Sequence, residues 1–277
     1  MKNYFNRQYD KIKSSLDLNV KRVLKSNQFI LGREVNLLES KLEKLTKTKE
    51  VVTVSSGTDA LIVALMAINI KPNDEVITTP FSWISTAEVI KFLGAKIVYV
   101  DIDPDTFNLD IDKIKSKITN KTKAIMPVSL FGLPCNIEKL RKIIKNKNIK
   151  VIEDGAQSFG AKITNKYTTN FPDIFCTSFF PTKPLGCYGD GGACFTNSTK
   201  LAKKMKLIRN HCQIKKNVHK GIGLNARLDT LQAAILLSKL KIFEKEINLR
   251  EKIVLEIKKK LIKKSNKFKF QKVEKNL

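Results

Sequence analysis

The spacing of apolar residues changes several times along the chain, and each change predicts a different kind of element. Two N-terminal segments repeat apolar positions at helical spacing, whereas later short runs of β-branched residues are bounded by Ser, Gly and Pro. The predicted helices cover residues 8–24, 33–46, 59–70, 85–93, 111–118, 137–146 and 229–260. The predicted strands cover 51–54, 75–79, 96–100, 124–128, 150–153, 174–179 and 192–196, with a further strand at 268–270.

The alternation of these strands and helices predicts the fold class. Strands that are separated by helices favour an α/β architecture, with a mostly parallel central sheet and helices on both faces. A chain of 277 residues is long enough for one large domain with its own core. No internal repeat or low-complexity linker divides it.

Composition indicates an ordinary globular protein, since 42% of the residues are hydrophobic. The longest apolar run, at 61–68, is too short to cross a bilayer, and the N-terminus does not build the apolar stretch of a signal peptide. We therefore expect a cytoplasmic protein with no membrane contact. The five cysteines form no C-x-x-C pair, so we expect reduced, mostly buried thiols and no metal site.

The net charge of +26 has two interpretations: a nucleic-acid surface, or lysine used as a solubilising residue. The lysines are spread from Lys2 to Lys275, and aromatic residues do not interleave with them as in a base-stacking module. We therefore expect no nucleic-acid partner. A positive field of this size favours anionic substrates, including nucleotide-linked sugars.

Two short segments place polar residues where a predicted strand ends. Residues 55–60 read S-S-G-T-D-A between a strand and a helix, which suits a phosphate at a helix N-terminus or, equally, an ordinary helix cap. Residues 153–158 read E-D-G-A-Q-S at the carboxyl end of a strand, where open α/β sheets place ligands. Asp154 there could pair with a cation such as a protonated ring nitrogen, or could cap the following segment.

Two later segments carry a lysine and a helix start. Residues 177–186 read T-S-F-F-P-T-K-P-L-G, so Lys183 lies in a loop after an apolar strand. A lysine that forms an imine must lose its proton, which partial burial favours, whereas most lysines of this chain are solvated surface groups. Residues 221–229 read G-I-G-L-N-A-R-L-D, with Asp229 as a plausible cap for the helix that follows.

Taken in this order, the four segments resemble the DegT/StrS family of nucleotide-sugar aminotransferases. The resemblance runs from about residue 29 to 250 and is carried by S-G-T-D-A-L, E-D-G-A-Q-S-F-G, S-F-F-P-T-K-P-L-G and N-A-R-L-D-T-L-Q-A-A. It implies a fold type I transferase that depends on pyridoxal 5'-phosphate. The stretch T-S-F-F-P-T-K-P-L-G-C-Y-G-D-G-G-A is most similar to members that aminate UDP-2-acetamido-2-deoxy-3-oxo-glucuronate for surface polysaccharide such as O-antigen lipopolysaccharide.

The resemblance implies roles around the cofactor ring. Lys183 would be the Schiff-base lysine and would then move protons. Asp154 would face the pyridine nitrogen and keep it protonated. Gln157 would lie near the phenolic oxygen and Ala156 against one ring face. Trp83 would stack on the other face, with a core aromatic as the alternative for this residue.

The resemblance also implies residues for the phosphate and for a partner subunit. Gly57, Thr58 and Ser178 would bind the phosphate of the cofactor. Asn225 would reach the phosphate in the neighbouring subunit, which implies a homodimer with shared active sites. Arg227 would contact a carboxylate of the amino donor or of the sugar.

The implied reaction is a ping-pong transamination from L-glutamate to a UDP-linked keto-sugar. The family continues into a small C-terminal domain, so we expect a large domain at 1–240 and only the start of a truncated small domain at 241–277. A cofactor-binding but inactive scaffold is therefore the main alternative. Sugar dehydration is a further one, but family members with that chemistry replace the lysine. Cys212 stands where the family commonly has glycine, and it would be strained there if φ is positive.

Overall fold

The computed structural model describes residues 2–264 and 268–273. The helices are α1 (Lys2–Ser26), α2 (Arg33–Thr46), α3 (Gly57–Ala67), α4 (Ser85–Phe92), α5 (Ile111–Ile114), α6 (Ile137–Ile143), α7 (Thr199–Ile208), α8 (Thr230–Leu240) and α9 (Phe243–Lys264). The strands are β1 (Glu50–Val54), β2 (Glu75–Thr78), β3 (Lys96–Tyr99), β4 (Thr122–Ile125), β5 (Lys150–Asp154), β6 (Lys162–Ile163), β7 (Lys166–Tyr167), β8 (Ile174–Ser178), β9 (Gly192–Thr196), β10 (Gln213–Lys215) and β11 (Val218–His219). Short 3-10 helices lie at Lys115–Lys117, Leu130–Gly132 and Thr168–Asn170.

The central sheet has seven strands in the order β1-β9-β8-β5-β4-β2-β3. Neighbouring strands from β8 to β3 pair in parallel, whereas β9 is antiparallel to both β1 and β8. The predicted α/β fold with a mostly parallel sheet is therefore confirmed. Because β1 and β8 both oppose β9, the carboxyl ends of β1, β2, β4, β5 and β8 lie at one edge of the sheet.

Alternate strand residues point to opposite faces, and each face has its own core. Val52 and Ile152 belong to the core that α3, α4 and α7 cover. Val51 and Phe195 belong to the core on the other face, which α2 and α8 cover. Helices therefore cover both faces, as the continuous apolar character of the strands predicts. None of the described helices combines the length and the apolar character that a membrane span requires.

The prediction of one long helix at 229–260 is wrong, because α8 and α9 are separate helices. The chain turns at Lys241 and Ile242, where the Ile242 N–H donates to the Lys239 carbonyl instead of continuing the α-helical pattern. This turn brings Phe243 into the core, where its ring stacks on Phe159 with centroids 5.4 Å apart. Burial of an aromatic side chain thus outweighs the continuity of the helix.

The predicted strand at 268–270 is also not formed, because residues 268–273 pair with loops and not with the sheet. The Gln271 side chain donates to the carbonyls of Thr106 and Leu130, and the Lys272 N–H donates to the Asp105 carbonyl. The predicted helix at 111–118 is shorter than expected, since α5 ends at Ile114 and continues as a 3-10 turn.

A buried ion pair joins α7 to α2 and β1. The Arg209 guanidinium donates to the Glu39 carboxylate at 2.5 Å and to the Thr53 carbonyl at 2.8 Å. The Thr53 N–H and hydroxyl donate to the same carboxylate oxygen. Because the Arg209 carbonyl also accepts from the Ala226 N–H, this cluster fixes the segment that leads into α8.

The segment after Arg209 has a strained backbone. His211 and Cys212 have φ values of 55° and 49°, in the left-handed region that side chains with a Cβ disfavour. The expectation that Cys212 occupies a position suited to glycine therefore agrees with its conformation. The Cys212 N–H still donates to the Leu207 carbonyl, so hydrogen bonding holds the strained turn in place.

We predict that Arg209→Met lowers the free energy of unfolding by about 3–5 kcal/mol, because it leaves the Glu39 carboxylate buried without its cation. The double variant Glu39→Gln/Arg209→Met removes the orphaned charge and should recover part of this loss. Urea denaturation measures both. Lys139→Met, which breaks the exposed pair with Asp112, is the matched control and should cost less than about 1 kcal/mol. An equal effect for the two single variants would contradict a buried role for Arg209.

A candidate active site at the carboxyl edge of the sheet

A cavity of about 360 Å³ lies at the carboxyl ends of the parallel strands. This is the edge at which open α/β sheets bind ligands, and the volume is in the range of small-molecule sites. Its lining comprises Ser56, Gly57, Thr58, Leu61, Ser82, Trp83, Ser85, Val128, Asp154, Ala156, Gln157, Cys176, Thr177, Ser178, Phe180, Thr182, Lys183 and Asp190. Of the predicted site residues, all but Asn225 and Arg227 line this cavity.

One end of the cavity is the N-terminus of α3. Ser56 caps the helix, since its hydroxyl accepts from the Asp59 N–H at 2.9 Å, and the Asp59 carboxylate accepts from the Ser56 hydroxyl at 2.8 Å. Gly57 packs against β8, and a Cβ there would lie 2.7 Å from the Ser178 Cβ, too close for any other residue. The unpaired N–H groups of the first helical turn and the hydroxyls of Thr58 and Ser178 suit an anion such as a phosphate.

Asp154 stands at the last position of β5, in the middle of the sheet, and is 7% exposed. Its carboxylate accepts from the Thr86 hydroxyl at 2.8 Å and from the Ala156 N–H at 3.2 Å. Burial raises the pKa of Asp154, while the Thr86 hydroxyl, the Ala156 N–H and the Lys183 ammonium oppose the rise. An anion with these donors is suited to hold a cationic group in the cavity.

Lys183 lies in a compact loop between β8 and β9. The Cys187 N–H donates to the Phe179 carbonyl at 2.8 Å, which closes the loop at its base. Gly186 allows the loop to double back, because a Cβ there would lie 2.5 Å from the Pro181 carbonyl oxygen. The Lys183 side chain is half-buried in the cavity, and its charge acts on Asp154 across it.

Gln157, Ala156 and Trp83 line the same cavity. The side-chain amide oxygen of Gln157 accepts from the Phe131 N–H at 2.9 Å. This contact fixes the orientation of the amide and leaves its NH₂ group to donate elsewhere. Phe131 has a φ of 56°, so this contact relies on a strained turn. Trp83 is 74% exposed, which excludes the core-aromatic alternative.

Asn225 and Arg227 lie apart from the cavity lining. Asn225 is exposed and pairs with Asn210 in an isolated antiparallel bridge. The Arg227 side chain donates to the Asn210 side-chain oxygen at 2.9 Å, while its buried Nε has no hydrogen-bond partner. Their predicted roles toward a neighbouring subunit and a substrate carboxylate stay predictions.

The polar residues at the start of α4 and just before it were not predicted as site residues. Ser82 and Ser85 line the cavity, and Thr86, which does not line it, donates to Asp154. The Ser85 hydroxyl bonds the Thr58 hydroxyl at 2.8 Å, so α4 also contacts the helix that forms the anion end of the cavity. The position of these residues just after the carboxyl end of β2 was the signal that could have identified them.

Glu153 precedes Asp154 on β5 and is fully buried behind the cavity. One carboxyl oxygen accepts from the Ser129 hydroxyl at 2.5 Å, and the other has no hydrogen-bond partner. Burial raises the pKa of Glu153 to about 8, with the Ser129 hydroxyl opposing and the Asp154 charge adding to the rise. The group is therefore mostly protonated at neutral pH.

A sequence profile of the DegT/DnrJ/EryC1/StrS aminotransferase family matches residues 10–276. The chain is 50% identical over 249 residues to the UDP-2-acetamido-2-deoxy-3-oxo-D-glucuronate aminotransferase of Pseudomonas aeruginosa. That match covers 90% of this chain and 69% of the relative.

Two solved structures show the same fold. An aminotransferase of this family from Brucella abortus is 38% identical with a TM-score of 0.86, and the match covers 90% of this chain and 69% of that one. NtdA from Bacillus subtilis, solved with bound cofactor PMP, is 35% identical with a TM-score of 0.79, and the match covers 86% of this chain and 54% of that one. The chain thus spans 54% to 69% of the length of these three proteins.

We predict that Glu153→Gln removes part of the pH dependence of stability. An acid whose pKa rises on folding from 4.5 to about 8 contributes stability below pH 4.5 that is lost as the pH rises through 8. Glutamine stays neutral over this window. The free energy of unfolding of the variant, relative to that of the wild type, should therefore rise by on the order of 4 kcal/mol as the pH increases. Urea denaturation at pH 5, 7 and 9 measures the difference.

The exposed Glu138 offers a matched control, since Glu138→Gln should differ from the wild type by the same small amount at all three pH values. A Glu153→Gln curve parallel to the wild-type curve would show that the Glu153 carboxyl is ionised over the whole range.

Proposed function

Because the chain belongs to the DegT/DnrJ/EryC1/StrS aminotransferase family, we propose that it is a pyridoxal-phosphate-dependent enzyme that transfers an amino group from L-glutamate to a UDP-linked keto-sugar. The observation that carries the proposal is the common cavity of Lys183, Asp154 and the N-terminus of α3. An amine, a buried carboxylate and a phosphate cradle are the three groups that this cofactor requires of its protein.

The cavity residues fit pyridoxal phosphate at three points. Gly57 lets the first turn of α3 pack closely against Ser178, so a phosphate at that helix N-terminus could accept from both Thr58 and Ser178. Asp154 supplies a buried anion for a protonated ring nitrogen. Lys183 supplies the amine for covalent attachment at the carbonyl carbon.

When bound, the cofactor supplies an electron sink for the carbon that gains or loses the amino group. The protein has to position that sink and to move the proton. Lys183 would remove the proton from the donor amino acid and return a proton on the sugar side, acting as base and as acid. Asp154 would hold the ring nitrogen in its protonated form, and Trp83 and Ala156 would restrict the ring between them.

The proposed acceptor is UDP-2-acetamido-2-deoxy-3-oxo-glucuronate, which would place the enzyme in surface-polysaccharide synthesis. The activity in the name of the Pseudomonas relative supports this acceptor. The net charge of +26 also suits a substrate that carries both a diphosphate and a carboxylate. A cytoplasmic location would give access to free L-glutamate and nucleotide-linked sugars.

We also propose a homodimer with shared active sites, in which Asn225 reaches the phosphate bound by the partner subunit. The exposure of Asn225 supports this assignment, because its side chain is available to a second chain. Within the same proposal, residues 1–240 form the cofactor-binding domain, and residues from 241 onward begin the small domain that the family places over the sugar. Arg227 would contact a substrate carboxylate.

We predict that the wild type binds pyridoxal phosphate with a visible absorption band and that borohydride then fixes the cofactor to Lys183, as peptide mapping would identify. Lys183→Ala should lose the band and the covalent label. Lys241→Ala, which removes an exposed lysine outside the cavity, should keep both. The control is needed because free aldehydes react with surface lysines. Labelling that persists in Lys183→Ala would reject this residue as the attachment point.

We further predict that L-glutamate converts the loaded enzyme in one turnover, releasing one 2-oxoglutarate per bound cofactor, as mass spectrometry measures. Asp154→Asn should slow this half-reaction at least about a hundredfold, because a neutral amide does not stabilise a protonated ring nitrogen. Retained cofactor with no 2-oxoglutarate would identify a cofactor-binding scaffold and overturn the proposed transamination.

A further inference from the structure

We infer that Thr86 is a positioning residue, whose hydroxyl keeps the Asp154 carboxylate anionic and aimed at the ring nitrogen of the cofactor. The inference rests on the proposed function, since it concerns how the protein holds the same group. The chemistry of the site would then include Thr86, which lies outside the cavity lining, and the Ser82 hydroxyl that contacts it. The side chains of Ser82, Thr86 and Asp154 form a chain of hydrogen bonds whose direction can be assigned.

The direction follows from counting protons. Thr86 donates its one hydroxyl proton to the Asp154 Oδ2 atom at 2.8 Å. The 2.7 Å contact between the hydroxyls of Ser82 and Thr86 can then be made only with Ser82 as the donor. The result is a directed chain from Ser82 through Thr86 to the carboxylate, in which each bond strengthens the next.

The second carboxylate oxygen completes the orientation. Oδ1 accepts from the Ala156 N–H at 3.2 Å, so donors on two different elements hold the two oxygens. Thr86 itself is 1% exposed and cannot be replaced by water without a change in packing. The plane of the Asp154 carboxylate is therefore fixed before any ligand enters.

The charge balance around Asp154 shows why this hydroxyl matters. Burial raises the pKa of Asp154. The Thr86 hydroxyl opposes this rise more strongly than the Ala156 N–H or the Lys183 ammonium does. The other titratable groups that interact with Asp154 are Glu153 on the same strand and the thiols of Cys135 and Cys176, none of which supplies a positive charge. Thr86 is thus the main group that favours the anion.

The placement of Thr86 depends on the first turn of α4. Ser85, its neighbour, bonds the Thr58 hydroxyl at 2.8 Å, which ties this turn to α3. The same turn therefore contacts the carboxylate end of the cavity through Thr86 and the phosphate end through Ser85. A shift of α4 would disturb both ends together.

The test compares two probes on the apoprotein: pyridoxal phosphate, and its analogue in which carbon replaces the ring nitrogen. Thr86→Val keeps the shape of the side chain but removes the hydroxyl. We expect it to weaken binding of pyridoxal phosphate about tenfold or more, because Asp154 takes up a proton. Binding of the carbon analogue should stay equal to wild type or improve, since this ring does not need an anion.

Three further variants make the result specific. Thr86→Ser keeps the hydroxyl and should restore the affinity for pyridoxal phosphate, while Ser82→Ala should weaken it by a smaller factor than Thr86→Val. Thr196→Val is the matched control, because Thr196 is also 1% exposed and its hydroxyl donates at 2.7 Å to the Asp173 carbonyl, outside the cavity. It should leave both affinities unchanged. Thermal unfolding of each variant reports on the fold.

A loss of affinity for both probes by the same factor in Thr86→Val would overturn the inference, because it would mean that Thr86 only shapes the cavity. If Thr86→Val does not fold, the same comparison in Ser82→Ala decides the matter. A wild type that binds neither probe would reject the proposed function itself, and the inference with it.

Discussion

The candidate site is arranged around one buried carboxylate, that of Asp154, which the proposed function requires as an anion. A buried anion is stable only where fixed donors replace the water it has lost, and Asp154 has two such donors in Thr86 and the Ala156 N–H. These donors come from different elements, so α4, β5 and the turn after β5 must be in register for both hydrogen bonds to form. A flexible or solvated site could hold the same residues but could not fix the direction of this carboxylate.

The sheet topology explains how distant segments meet around that carboxylate. Parallel strands bring the residues that follow β1, β2, β5 and β8 to one edge. The antiparallel β9 then returns the chain after the lysine loop, so that Lys183 is held between two hydrogen-bonded strands. Gly192 makes the close approach possible, because a Cβ there would lie 2.3 Å from the Ser56 carbonyl oxygen. Small residues thus set the distance between the turn that begins α3 and the strand that follows the lysine loop.

Much of this arrangement could be predicted from the sequence. The strands follow from β-branched runs, and Gly57 and Lys183 lie in segments whose composition departs from their surroundings. Thr86 could not be identified, because a threonine at the start of a helix usually serves as a cap and its contact spans 68 positions. The break between α8 and α9 gives no signal either, since neither Gly nor Pro marks it and the burial of Phe243 decides it. The role proposed for Asn225 involves a second chain, which the pattern of a single sequence does not specify.

Glu153 and Asp154 show how environment, and not residue type, assigns the two buried acids of β5 to different tasks. They point to opposite faces of the sheet because side chains alternate along a strand. Glu153 has one hydroxyl donor and an oxygen without a partner, so burial dominates and the pKa rises to about 8. Burial also raises the pKa of Asp154, but donors on both of its oxygens and the Lys183 ammonium across the cavity oppose that rise. The two neighbouring carboxyls therefore differ in the groups that oppose the effect of burial, and only Asp154 lines the cavity, where it can face a cationic group.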